Sequence, residues 1–170
     1  VLHLLQNGYK KIAIIIGTDL WMKGYRDRLN GWRDAHLDLD LEINQKLIFK
    51  SEKFQHGNES QEGYFSTKKL LKINKDVDAI FCTNDLLAMG AYQAIKEEKL
   101  EIPKDIAIIG YDNSNIAKNL KPGLTSVQLP YAEMTQKSIF HILNENLLND
   151  NFKIIVDSPL ISRSSVIIKK

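Results

Sequence analysis

With 170 residues, 44% of them hydrophobic and 26% charged, the chain has the composition of a folded domain and is long enough to bury a substantial core, which excludes a disordered segment. Its 23 lysines and arginines nearly balance 21 aspartates and glutamates, for a net charge of +2, so it lacks the strongly basic field that draws a domain to phosphate backbones. The single cysteine, Cys82, can form no intrachain disulfide; no apolar run approaches the ~20 residues that span a bilayer, and the first residues lack the basic start of a secretory signal. The expectation is a cytoplasmic protein with no membrane contact.

Taken in chain order, Val1 to Gln6 is apolar from its first residue and stops at Asn7-Gly8, which predicts the end of a helix begun upstream. Ile12 to Ile16 predicts a strand. Met22, Tyr25, Leu29 and Trp32 recur every three or four residues, so one helical stripe faces a sheet while Lys23, Arg26, Asp27 and Asp34 face outward. Lys46 to Phe49 reads as a second strand, and Tyr64, Thr67, Leu70 and Leu71 as the apolar side of a third helix. Asp78 to Cys82 predicts the third strand, with Cys82 a small buried side chain. A helix from about Asp85 carries Leu87, Ala91, Ala94 and Ile95 inward; after Pro103, Ile106 to Ile109 predicts the fourth strand.

Short apolar runs alternating with helices predict βαβ units, an α/β fold with a parallel sheet flanked by helices. The runs are continuous rather than alternating, as in strands covered on both faces. After Leu120-Lys121-Pro122-Gly123 the pattern changes: a helix is predicted from about Tyr131 to Leu148, then two short β-like pieces, Lys153 to Val156 and Leu160 to Lys169.

In such a sheet, ligands bind beyond the carboxyl ends of the strands. Polar residues gather there: Gly17-Thr18-Asp19, Thr83-Asn84-Asp85 and Gly110-Tyr111-Asp112-Asn113, with Arg28 on the helix after the first strand. Together they can donate to and accept from hydroxyl groups. Asp85 reads either as a helix N-cap or as a ligand contact, and Arg28 either as a solvated charge or as a contact. Trp21 and Trp32 are candidates to stack on a ring, but Trp32 lies in the apolar stripe and reads as core. There is no G-x-G-x-x-G or Walker-type loop and no nucleophile elbow. His3, His36, His56 and His141 are scattered and read as surface or helix-face residues. The expectation is a binding protein, not an enzyme, with no metal and no cofactor.

Several segments resemble one family. His3-Leu4-Leu5-Gln6-Asn7-Gly8-Tyr9-Lys10-Lys11-Ile12-Ala13, with Gly17, is similar to the opening segment of lactose-repressor-type (LacI/GalR) bacterial regulators, with Tyr9 in place of the usual histidine. Arg28-Leu29-Asn30-Gly31-Trp32, Thr83 to Ala91, Ile102 to Asp112, Pro122 to Val127 and Leu160 to Val166 follow in the family's order. The resemblance implies a periplasmic-binding-protein-like sensor, cut short at its amino end, with an effector in the cleft between two subdomains. Residues 1–126 would form most of one subdomain, and 127–170 would be a return segment belonging to the other.

By the same resemblance Arg28, Asn84 and Asp112 fall where relatives hydrogen-bond the effector, usually a sugar or sugar phosphate. Phe54 would supply an aromatic platform, while Leu129 stands where a glutamine often makes contact. The parent would read operator DNA through an upstream helix-turn-helix and act as a homodimer. The rival readings are a sugar-binding protein of a transport system, sharing the architecture, and a small sugar-modifying enzyme.

Overall fold

The run Ile12-Ala13-Ile14-Ile15-Ile16 forms β1 (Ile12–Ile16), and all five side chains are buried. A strand apolar on both faces must lie inside a covered sheet, and β1 does. The computed structural model describes residues 1–17, 22–51, 59–143 and 153–169. Its sheet has the order β2-β1-β3-β4-β5-β6, made with β2 (Ile48–Lys50), β3 (Ala79–Cys82), β4 (Ala107–Asp112), β5 (Thr125–Gln128) and β6 (Leu160–Ile161). β1 to β5 pair in parallel and β6 pairs antiparallel with β5. The parallel α/β sheet expected from the sequence is the one found.

The helices are α1 (Leu2–Gln6), α2 (Lys23–Leu37), α3 (Glu59–Ile73), α4 (Asp85–Glu97), α5 (Asn115–Asn119) and α6 (Tyr131–Leu143). α2 packs on β1 through Leu29 and Trp32, and the Trp32 indole donates to the Ile12 carbonyl at 3.0 Å, so this tryptophan is core. Met22, placed in the same stripe by spacing, is instead exposed and precedes the helix. His36, read as a surface or helix-face residue, is buried: its ring lies 4.3 Å from that of Trp32 and its Nδ1 is 2.7 Å from the Trp32 carbonyl oxygen. α3 and α4 pack directly on each other, with Leu87, Ala91, Ala94 and Ile95 of α4 fully buried. A groove of about 640 Å³ lies on the α2 side, lined among others by Leu2, Trp32, Ile109, Tyr111 and Val127.

The boundaries depart from the sequence reading where polar side chains intervene. The second strand starts at Ile48 rather than Lys46, because the Asn44 side chain accepts from the Lys46 amide at 3.0 Å and winds 45–47 into a 3-10 turn. β4 runs on to Asp112. β5 was not expected as a strand, and Lys153 to Val156 forms none. Of the piece from Leu160 to Lys169, only Leu160 and Ile161 are strand.

That last segment nevertheless stays with this sheet. Ser165, fully buried, donates from Oγ to the Ile108 carbonyl at 2.6 Å and accepts from the Thr125 amide at 2.8 Å. Lys169 donates to the Asn7 carbonyl by its backbone and to Asp78 by its side chain. Residues 160–169 therefore pack on this sheet and on the turn after α1. Ser165→Ala is expected to cost about 1–3 kcal/mol, the penalty for a buried donor left without an acceptor. Urea unfolding of both proteins checks it.

α6 is different. None of its residues is buried, and Tyr131, Phe140, Ile142 and Leu143 are exposed on it. The expected continuation of this helix to Leu148 lies outside the described residues.

Candidate functional site

The chain leaves β1 in one direction for β2 and returns past it to β3. A crevice therefore opens at the carboxyl ends of β1 and β3, where sheets of this topology receive ligands. The Gly17 amide donates to Thr83 Oγ1 across it at 3.4 Å. Asn84 directly follows Thr83, Asp112 ends β4, and Arg28 lies on α2 beyond β1.

Arg28 and Asp112 come together, and Asn84 joins them through Tyr25. The Arg28 guanidinium carbon sits 3.8 Å from the centre of the Tyr111 ring and 5.4 Å from that of Tyr25, and Nη2 is 3.9 Å from Asp112 Oδ1. Arg28 is therefore neither a free nor a solvated charge; its side chain is 18% exposed. Asn84 Nδ2 donates to the Tyr25 hydroxyl at 3.2 Å, and that hydroxyl donates to Glu59 Oε1 at 3.2 Å. One polar chain thus joins α4, α2 and α3. Phe54, Thr18, Asp19 and Trp21 lie outside the described residues.

Asn84 and Asp85 hold roles that spacing could not separate. Asn84 is the N-cap of α4, its Oδ1 accepting from the Leu87 amide at 2.8 Å, which leaves its Nδ2 for Tyr25. Asp85 is buried and bonds to Ser114 and Ser126, so it is neither the cap nor an exposed ligand contact.

The site is acid-rich around a single guanidinium. Burial, opposed by Arg28 and reinforced by Asp85 and Glu59, raises the Asp112 carboxyl to about 6. Burial, with Glu59 next, raises the Tyr25 phenol. Tyr25 and Glu59 are the members that sequence reasoning missed. Tyr25 is three residues before Arg28 on the same helix, a position that a search for polar partners on that face can find. Cys82 is fully buried and burial pushes its thiol up, away from reactivity. No group of three metal-ligating side chains and no helix long and apolar enough to cross a membrane occurs among the described residues.

Strand order, helices on both faces and a switch-point crevice define a doubly wound α/β unit of ligand-binding type. A sequence model described as a periplasmic binding protein-like domain matches residues 1–166, and the chain belongs to that family. It is 32% identical over 157 residues to the ribose operon repressor of Haemophilus influenzae, covering 92% of this chain and 46% of that protein. Among solved structures it is similar to a regulatory protein of the LacI family from Chloroflexus aggregans (30% identity, TM-score 0.86, 96% of this chain and 58% of that one). It is also similar to a sugar-binding LacI-family transcriptional regulator from Escherichia coli complexed with phosphate (28% identity, TM-score 0.85, 99% of this chain and 59% of that one). The likeness to lactose-repressor-type regulators read in the motifs is thus borne out. The chain spans about half the length of the curated relatives it matches.

Proposed function

We propose that this chain is the effector-sensing lobe of a LacI/GalR-type transcriptional regulator. A sugar or sugar phosphate is held between it and a second lobe, and a helix-turn-helix elsewhere in the parent reads operator DNA. The observation that carries this reading is the convergence of Arg28, Asn84 and Asp112 at the switch point. Adjacent guanidinium and carboxylate groups suit neighbouring hydroxyls of a sugar, the first donating and the second accepting. Phe54 is kept as the aromatic platform. The protein acts as a cytoplasmic homodimer and carries out no chemistry on its ligand.

An effector that binds better to one relative angle of the lobes shifts their population, and with it the spacing of the paired reading heads. The relatives are transcriptional regulators, which favours this reading over a sugar-binding transport component and over a sugar-modifying enzyme. Arg28→Ala in the parent is expected to leave operator affinity intact and to abolish the response to sugar. Fluorescence anisotropy of labelled operator, titrated with and without a panel of sugars, reads both. A variant that responds like wild type overturns the assignment.

A further inference from the structure

We infer that Asp85, beneath the turn between β4 and α5, is the positioning residue of this site: it anchors the backbone after Asp112 and so aims the Asp112 side chain at Arg28. The inference rests on the site reading above for its functional meaning, but its geometry stands alone. Asp85 is 1% exposed. Its Oδ2 accepts from the Ser114 amide at 2.7 Å and from the Ser114 hydroxyl at 2.9 Å, and its Oδ1 accepts from the Ser126 hydroxyl at 2.7 Å. The Ser126 oxygen in turn accepts from the Asn113 amide at 3.1 Å. Both backbone amides that follow Asp112 therefore end, directly or through one hydroxyl, on one carboxylate.

The turn needs such an anchor. Asp112 and Asn113 have φ of 102° and 50°, two successive non-glycine residues in the left-handed region. Residues persist there only where their surroundings over-determine them. Around the Asn113 side chain, Arg163 Nη2 donates to Oδ1 at 2.6 Å and Nδ2 donates to Gln128 Oε1 at 3.2 Å, but neither bond holds the backbone. β4 also makes room for the carboxylate: a side chain at Gly110 would overlap Asp85 Oδ1. Asp85 is the acceptor this arrangement calls for, because three donors meet its two oxygens and an amide would turn N–H groups against one of them.

The charge of Asp85 matters as well as its shape. Asp112 is faced by Arg28 from α2, Glu59 from α3, Asp85 from α4, and Tyr131 at the start of α6. Removing the negative charge at 85 removes one of the groups that raise Asp112. A carboxylate that served stability alone would, when altered, speed exchange throughout the chain by favouring global unfolding. A positioning residue loosens two amides and moves one titration.

The test uses the ligand-free chain: carboxyl NMR titration of Asp112, and amide hydrogen exchange, in wild type, Asp85→Asn and Ser126→Ala. In Asp85→Asn the Asp112 midpoint is expected to move from its wild-type value, loss of the like charge lowering it and loss of the aim at Arg28 raising it. The Asn113 and Ser114 amides are expected to exchange at least about tenfold faster while the amides of β1 and β3 keep their protection. Ser126→Ala should free Asn113 selectively, while the Ser114 amide, which bonds Asp85 directly, keeps its protection. An unchanged Asp112 midpoint together with unchanged local exchange in Asp85→Asn overturns the inference. If that variant does not fold, wild-type exchange at Asn113 in Ser126→Ala does so instead. No readout involves an effector, so a failure here is separate from a failure of Arg28→Ala to silence the parent.

Discussion

Gly90→Ala is expected to destabilise the chain by ~3 kcal/mol or more, a large share of the roughly 5–15 kcal/mol that holds an ordinary domain folded. Helix propensity alone predicts the opposite, since alanine in a helix interior is worth roughly 0.5–1 kcal/mol over glycine. Sterics reverse the sign. A Cβ on Gly90 of α4 would stand inside the van der Waals radius of the Ser60 carbonyl oxygen and crowd the Tyr64 amide of α3. One on Gly63 of α3 would likewise overlap the Leu87 backbone of α4. Backbone cannot rotate out of the way as a flexible side chain can, so the two helices would have to separate. Gly31 supplies the control: nothing lies within 4 Å of a Cβ built there, and Gly31→Ala should stabilise α2 by roughly 0.5–1 kcal/mol. Urea unfolding of the three proteins gives both signs, and a Gly90→Ala protein as stable as wild type would mean that the helices are farther apart than described.

Asp112→Asn is expected to stabilise the chain at neutral pH by ~1–3 kcal/mol and to do nothing near pH 4. The carboxyl titrates at about 6 in the folded protein against an ordinary value of 3.8, so the folded state holds its proton more tightly than the unfolded state. Stability contributed by this group is accordingly present below about pH 4 and is lost as the pH rises to about 6. Roughly two units at 1.36 kcal/mol each set the upper limit. Solvent at a side chain 28% exposed lowers it. Asparagine tolerates positive φ well, so the turn at 112 is kept. Unfolding free energies of both proteins at pH 4, 5, 6 and 7 should diverge steadily; a constant difference removes Asp112 as the titrating group. The same substitution is expected to impair the parent's response to effector, a conflict between stability and function common at binding sites.

How much of this was legible in advance follows from where each residue's partners lie. β1 and β3 are legible because both faces are covered, so Ile12 to Ile16 and Ala79 to Cys82 read as unbroken apolar runs. β5 is not legible, although Thr125 and Ser126 are fully buried. Their hydroxyls bond to the Arg163 carbonyl and to Asp85, 38 and 41 residues away, and no local pattern reports a partner so distant. Arg28, Asn84 and Asp112 stand out because strand ends and motifs mark them, and the structure brings them together. Tyr25 is hidden inside an apolar stripe that accounts for it without its hydroxyl. His36 is hidden for a similar reason: its burial depends on Trp32 one turn away, which spacing shows but composition does not.

The seat of Arg28 on the Tyr111 ring has a further consequence. A long side chain in solvent explores many rotamers, and stilling one at an interface costs roughly 0.5–1.5 kcal/mol. Here the ring at 3.8 Å and the carboxylate at 3.9 Å have already stilled it before any ligand arrives. On the proposed function, a ligand meeting this lobe would find its main donor set in advance, as type is set before printing. Discrimination among ligands would then depend less on rearranging Arg28 than on whether an incoming oxygen can share the guanidinium with Asp112.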